Sequence, residues 1–384
     1  MRSVVPSDAP TALVIDGGNP RSALVATRAL GRAGWRVVLG SRGGASYAGR
    51  SRWCAHNVPL RSIAVEGSPA FLDDVALLLQ TERIDVLVPC GDAEVLALSA
   101  ARDRLSAVVP FAPHAVVEQV FDKLWLAKAG ARVGLLSPRT ERAEQADVDS
   151  FSLPVILKPR TRAGDEGRPR SETAVLADHD SARRVIAEML SRGEDPLIQE
   201  PVADAVLVSV IVLTDRQGTV VAQLQQEAER LWPLPAGNPS RARVIPLDPD
   251  LATALARLLG ALPWWGVVQV EFLRDPSGRH FLVDFNGRVF GSMPLADVAG
   301  TGMLDRWLRE AIGRAVPPHA PPARVGLRYQ NRADDLRRAL RERRGSRLRD
   351  IADTLTCRPD SYLVWDRSDP RPWWHAARTA QQRR

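Results

Sequence analysis

Glu271, Asp284, Asn286 and Arg288 bring two carboxylates, an amide and a guanidinium into one short stretch of this 384-residue chain. The stretch alternates apolar and polar residues on both sides of Asp275-Pro276-Ser277-Gly278, with Pro where a fixed φ helps and Gly where a positive one is tolerated. Pairing Asp275 with Gly278 gives a β-hairpin with one apolar face: Val268, Val270, Phe272, Phe281, Val283 and Phe285. The other face carries Gln269, Glu271, Leu273, His280, Leu282, Asp284 and Asn286. In that register Glu271 and Asp284 are diagonal neighbours, and they repel unless a cation lies between them. Two carboxylates and an amide oxygen form a hard donor set, suited to a Mg²⁺ that keeps waters and phosphate oxygens as further ligands. Arg288, just past them, adds a fork for anions.

Lysine is scarce. Of 52 Lys and Arg residues only three are Lys: Lys123, Lys128 and Lys158. In a chain that meets its surface charge with Arg, a retained Lys marks a place where a compact ammonium on a flexible stem is wanted. Lys158 closes the apolar strand Leu153 to Pro159 and projects from its end into a cleft. Lys123 opens a helix-like run, and Lys128, about a turn later, reads as ordinary surface.

The elements that must position these groups follow an α/β order. Thr11–Asp16, the turn Gly17-Gly18-Asn19-Pro20, a helix from Ser22 to Arg32 and the strand Trp35–Gly40 make a βαβ unit without the full dinucleotide glycine spacing. A helix over Ala70–Thr81 and the strand Asp85–Pro89 extend the parallel sheet. Cys90-Gly91-Asp92 then falls at a strand's carboxyl end, where open α/β sheets place ligands. Beyond Lys158, the polar run Arg160–Arg168 has the make-up either of a loop that closes over phosphates or of a flexible surface hairpin tip. The strands Leu197–Val202, Ala205–Leu213 and Val220–Gln225 and a helix over Pro249–Leu259 lead to the hairpin.

Composition excludes several classes. No apolar run spans a bilayer and the N-terminus lacks a signal peptide, so no membrane role is expected. Cys54, Cys90 and Cys357 have no metal or redox spacing and fit reduced thiols in the cytoplasm. The net charge of +7 comes largely from Arg337–Arg349, read as a helix burying a stripe of Leu336, Leu340 and Leu348, with no nucleic-acid module beside it. The aromatic tail, Trp365 and Trp373-Trp374, is expected to cover a hydrophobic surface of the main body.

Taken in order, from about Thr11 to Val316, these segments resemble the ATP-grasp superfamily, in particular the carbamoyl-phosphate-synthase-like carboxylate–amine ligases. The resemblance implies a doubly wound pre-ATP-grasp α/β domain over residues 1–113. A two-lobed α+β grasp would follow over 114–316, with a small lobe about 120–200 and a large lobe about 201–316, and then an Arg/Trp-rich extension over 317–384. Phe121-Asp122-Lys123-Leu124 is similar to the segment whose lysine reaches the α-phosphate of ATP, and Val155–Pro159 to the strand whose Lys158 contacts adenine and phosphate. Gln199-Glu200-Pro201-Val202 is similar to the hinge, where Glu200 and the backbone near Val202 bind adenine. Val270-Glu271-Phe272 and Asp284–Arg288 resemble the paired metal strands, with Glu271, Asp284 and Asn286 on Mg²⁺ (or Mn²⁺) and Arg288 steadying the transferred phosphoryl group.

Three departures stand out. Asp284 replaces the usual Glu, Gly287 replaces the usual Pro and implies a looser turn, and the segment after the hinge lacks its Gly. The implied reaction joins a small-molecule carboxylate to an amine through an acylphosphate, with ADP and phosphate released; the protein would bind no nucleic acid, and a homodimer is compatible with it. The alternatives are a degenerate grasp that binds nucleotide in a regulatory role, and a nicotinamide or nucleotide-sugar enzyme on the N-terminal sheet, which its missing glycine fingerprint disfavours.

Overall fold

A computed structural model describes residues 8–161, 171–234, 237–317, 319–342 and 346–382. The chain begins with β1 (Thr11–Ile15), α1 (Pro20–Arg32), β2 (Arg36–Arg42), β3 (Cys54–Leu60), α2 (Ile63–Thr81), β4 (Val86–Pro89) and α3 (Asp92–Ala100). Its four strands form a parallel sheet in the order β3-β2-β1-β4. Every residue of β1 and β4 is buried, as expected of central parallel strands covered on both faces. The turn between β1 and α1 ends in an N-cap, Asn19, whose side chain accepts from Ser22 N at 3.3 Å, with Pro20 at the first helical position.

Two helices, α4 (His114–Phe121) and α5 (Lys123–Arg132), lead to a second, antiparallel sheet. It consists of β5 (Thr140–Arg142), β6 (Val155–Pro159), β7 (Ala174–Leu176) and β8 (Pro196–Gln199), in the order β5-β8-β6-β7, with α6 (His179–Ser191) packed on it. Phe151, Val155, Leu157, Ala182, Ile186 and Ile198 give this sheet a separate small core.

The third sheet is the largest. It takes β9 (Val206–Thr214), β10 (Val220–Trp232), β11 (Asn238–Ile245), β12 (Gly266–Arg274) and β13 (His280–Asn286), with α7 (Pro249–Ala261) between β11 and β12. After α8 (Met293–Val298) and α9 (Met303–Ala311), β14 (Arg328–Gln330) joins the same sheet, followed by α10 (Arg332–Arg341), α11 (Arg347–Thr356), β15 (Ser361–Tyr362) and α12 (Arg371–Gln382). The order is β13-β12-β9-β10-β11-β14-β15, so the hairpin forms one edge and the segment beyond residue 316 contributes the other.

The C-terminal segment differs from the sequence expectation in two ways. The Arg-rich stretch runs from the end of α10 to the start of α11; the buried face of α10 holds Asp334, Asp335, Arg338 and Ala339, while Leu340 and Leu348 face solvent, Leu348 at 80% exposure. Arg338 meets Asp335 and Asp350, so charge pairing takes the place of the expected leucine stripe. The tail tryptophans pack edge-on against one another, Trp365 on Trp373 and Trp373 on Trp374, and stay exposed. The tail is instead anchored by Asp369, fully buried, whose carboxylate accepts from Arg28 Nε at 3.0 Å, Ser51 Oγ at 2.7 Å and Arg52 N at 2.9 Å.

Candidate functional site

The hairpin closes one residue later than its turn sequence suggests. Asp275 N donates to Arg279 O at 3.0 Å, leaving a three-residue loop, Pro276-Ser277-Gly278, with Gly278 at φ +89. Such loops suit a type I turn followed by a left-handed residue. Asp275 holds the loop by accepting from Ser277 N and Arg279 N, both at 2.9 Å. A β-bulge near Val283 then shifts the register by one more residue, between Phe272 opposite Leu282 and Glu271 opposite Asp284.

Each slip alone would send a side chain to the other face. Together they restore the parity, so Glu271, Asp284 and Asn286 do share a face. Glu271 and Asp284 are directly opposed, not diagonal, and Asn286 is opposite Gln269. Between the loop and the bulge only the first slip applies, and His280 crosses to the face of Phe272, 6.3 Å away and edge-on, with Asp248 at 3.7 Å.

Lys123 reaches this face from the first turn of α5. Asp122 caps that helix by accepting from Leu124 N at 2.9 Å and Trp125 N at 3.2 Å, which fixes where Lys123 starts. Its ammonium lies 3.9 Å from Asp284 Oδ1, with both side chains largely buried. Lys158, next to last in β6, is buried and donates to Gln199 Oε1 at 3.0 Å. Gln199 in turn donates to Thr140 Oγ1 at 2.6 Å. The two lysines, Ser137, Thr140, Gln199 and Leu282 line one small cavity between the second sheet and the hairpin edge. Leu282 N donates to Leu136 O at 2.7 Å, tying that edge to the segment after α5.

Glu200 and Val202 lie in the connection between β8 and β9, both half-buried. Glu200 meets Arg139, with N to O at 3.0 Å along the backbone and Oε1 3.5 Å from Nη1. Most of the expected phosphate-covering stretch, from residue 162 on, lies outside the described residues.

Arg288 is turned toward the first sheet. Its Nε donates to Asp92 Oδ1 at 2.8 Å, and its Nη2 to Asp92 Oδ2 and to Asn286 Oδ1, both at 3.3 Å. The backbone before it is not loose. A Cβ on Gly287 would overlap the six-membered ring of buried Trp264, which packs edge-on to Phe285 at 4.8 Å. Glycine is therefore there for close approach, not freedom. Asp92 begins α3 at the carboxyl end of β4, the position flagged in the sequence, although nothing in the sequence paired it with Arg288. Nearby, Glu94 is 5% exposed and its Oε2 has no hydrogen bond among the described residues. Burial, together with Asp92 and Asp16, pushes its carboxyl up to about 7. Asp16 is raised too, by burial.

Among the described residues no three carboxylate, imidazole or thiol groups converge on a point. The protein by itself offers a divalent ion two opposed carboxylates and one amide. That donor set fits a hard ion whose remaining ligands come from water or a bound phosphate.

The fold has clear counterparts. The biotin carboxylase domain of 2-oxoglutarate carboxylase from Hydrogenobacter thermophilus, solved with MgADP, ADP and bicarbonate, superposes with a TM-score of 0.65 at 14% identity, over 83% of this chain and 73% of that one. N5-carboxyaminoimidazole synthetase from Staphylococcus aureus gives 0.63 at 13%, over 84% and 82% of the two chains. L-amino acid ligase from Bacillus licheniformis gives 0.61 at 14%, over 84% and 79%. These are ATP-grasp proteins, and the chain has the ATP-grasp fold. Its sequence matches no protein-family model and no curated protein. Among the described residues no helix is long and apolar enough to cross a membrane.

Proposed function

We propose that this protein is an ATP- and Mg²⁺-dependent ligase that joins a small-molecule carboxylate to an amine through an acylphosphate, releasing ADP and phosphate. One observation carries the reading. Lys123 and Lys158 line the same cavity, and Lys123 also approaches the face on which Glu271, Asp284 and Asn286 stand together. Two structural neighbours are by name an L-amino acid ligase and an N5-carboxyaminoimidazole synthetase, and the latter was also solved with ADP.

On this reading ATP, when bound with its divalent ion, supplies the phosphoryl group that activates a substrate carboxylate. Glu271, Asp284 and Asn286 would hold the ion. Lys123 and Lys158 would set two ammonium groups against the phosphates, and Arg288 would face the oxygens of the transferred phosphoryl group, where pre-placed charge gives phosphoryl-transfer enzymes most of their acceleration. Glu200 and the backbone near Val202, in the connection between the second and third sheets, would take the adenine edge. The division into residues 1–113, 114–316 and 317–384 and a cytoplasmic setting, suited to three unpaired thiols, belong to the same proposal.

The test is thermal melting with a non-hydrolysable ATP analogue, with Mg²⁺ and with chelator. Ligand at about a hundred times its Kd stabilises a fold by roughly 2.7 kcal/mol. A Mg²⁺-dependent rise that Asp284→Asn abolishes is expected. No rise at millimolar nucleotide would sink the ligase reading.

A further inference from the structure

The contact between Arg288 and Asp92 joins parts of the chain 196 residues apart. We propose that Asp92, supplied by the first sheet, is the positioning residue for Arg288, which makes the N-terminal α/β unit a working part of the phosphoryl-transfer site. This rests on the role of Arg288 proposed above.

The geometry is that of a paired fork. Nε and Nη2 of the guanidinium meet the two oxygens of one carboxylate, at 2.8 and 3.3 Å, an arrangement that fixes the plane as well as the place of the group. Both side chains are about nine-tenths buried, at 11% and 13% exposure, so the pair is shielded from the water that makes exposed pairs weak. Asp92 is the first residue of α3, with Gly91 at the cap, so its place is set where the first sheet hands over to that helix.

The donor count shows what Asp92 leaves available. Nη2 spends one N–H on Asp92 and one on Asn286 Oδ1, Nε spends its own on Asp92, and Nη1 donates once, to Val289 O at 3.3 Å. Of the five N–H groups, one on Nη1 carries no hydrogen bond among the described residues. The pair thus turns one edge of the guanidinium to the first sheet, holds its Nη2 against an amide of the candidate metal face, and presents Nη1 as the end that can meet a further oxygen. The backbone cooperates, because Gly287 lies on Trp264 and Val289 and Phe290 are buried. A pair serving stability alone has no need to share a nitrogen with Asn286. Neither Asp16 nor Glu94, the other acids at this end of the sheet, is hydrogen-bonded to Arg288.

The experiment needs no knowledge of the acid or the amine. The full chain is titrated with Mg–ADP and with Mg–AMP-PNP, and the ratio of the two Kd values reports the contacts made to the terminal phosphate. Arg288→Ala should lower that ratio about tenfold. Asp92→Asn should lower it several-fold with Mg–ADP affinity within about twofold of wild type. Asp92→Glu, which keeps the charge, should recover part of the loss and also serves if the asparagine variant folds poorly. In the Arg288→Ala background, Asp92→Asn should have no further effect.

An unchanged ratio in Asp92→Asn, with Arg288→Ala impaired, would overturn the inference while leaving the ligase reading intact. Equal effects of Asp92→Asn with and without Arg288 would overturn it too. If Arg288→Ala itself changes nothing, the proposed role of Arg288 fails, and the inference with it. If wild type binds neither nucleotide, the ligase reading falls first.

Discussion

Glu271 and Asp284 face each other directly across the β12–β13 pair, and the Lys123 ammonium stands 3.9 Å from Asp284. Like charges directly opposite on neighbouring strands destabilise a sheet by roughly 0.2–1 kcal/mol. A fold keeps such a pair where a cation rewards it. Glu271→Gln, which removes one of the two charges, tests that reading, with its melting in chelator as the baseline. With the ATP analogue present it should lose most of the extra rise that Mg²⁺ gives the wild type. A Mg²⁺ response equal to wild type would remove Glu271 from the ligand set.

Gly287 invites a different test. Alanine there should cost about 1–3 kcal/mol, because the added methyl group has to displace a fully buried indole. Urea unfolding of Gly287→Ala, Trp264→Leu and the double variant would measure the coupling. The expected result is a Gly287→Ala penalty that shrinks once the indole is gone. Equal penalties in both backgrounds would mean that the turn itself, and not the packing, requires glycine.

Much of this site was legible in the chain. Period-two alternation announced the hairpin, and the scarcity of lysine picked out Lys123 and Lys158, which the structure brings to one cavity. The register was not legible. Whether Asp275 pairs with Gly278 or Arg279 is decided by loop conformation, and the bulge near Val283 leaves no mark on composition. The site's parity survived only because two slips of one residue cancel. Nor could one sequence connect Arg288 with Asp92, since pairing over such a separation is a property of the packed chain. The strand β3, with exposed residues along Cys54–Leu60, lacks the apolar run that marks its neighbours, so its sequence carries no strand signal.

Glu94 makes stability depend on pH. Its carboxyl is held at about 7 in the fold against an ordinary value of 4.5, because burial beside Asp92 and Asp16 penalises its charge. The native state therefore keeps a proton that the unfolded chain gives up. The stabilisation is complete below pH 4.5, falls as pH rises through 7, and is absent beyond. A shift of that size corresponds to a difference on the order of 3 kcal/mol. Glu94→Gln, neutral throughout, should match wild type near pH 4 and exceed it by about that amount at pH 8. Asp297, also raised to about 7 by burial, titrates in the same window and cancels in the comparison of the two proteins. A difference independent of pH would show that Glu94 does not titrate in this range.

Asp335 separates charge pairing from apolar packing in the C-terminal helices. Its carboxylate has no solvent exposure and accepts from Arg241 Nη2 at 2.8 Å, Gln330 Nε2 at 2.8 Å and Arg338 Nε at 3.1 Å. Removing one partner of a buried pair strands the others without a counter-charge, at a typical cost of 3–5 kcal/mol. Leu348, on the next helix and largely in water, has almost nothing to lose, and Leu348→Ala should fall within about 0.5 kcal/mol of wild type. Asp335→Ala should destabilise by several times that amount in urea unfolding. Because Gln330 belongs to β14 and Arg241 to β11, hydrogen exchange should report the loss first in those two strands. The opposite ranking, a costly Leu348→Ala and a mild Asp335→Ala, would restore the leucine stripe that the sequence suggested.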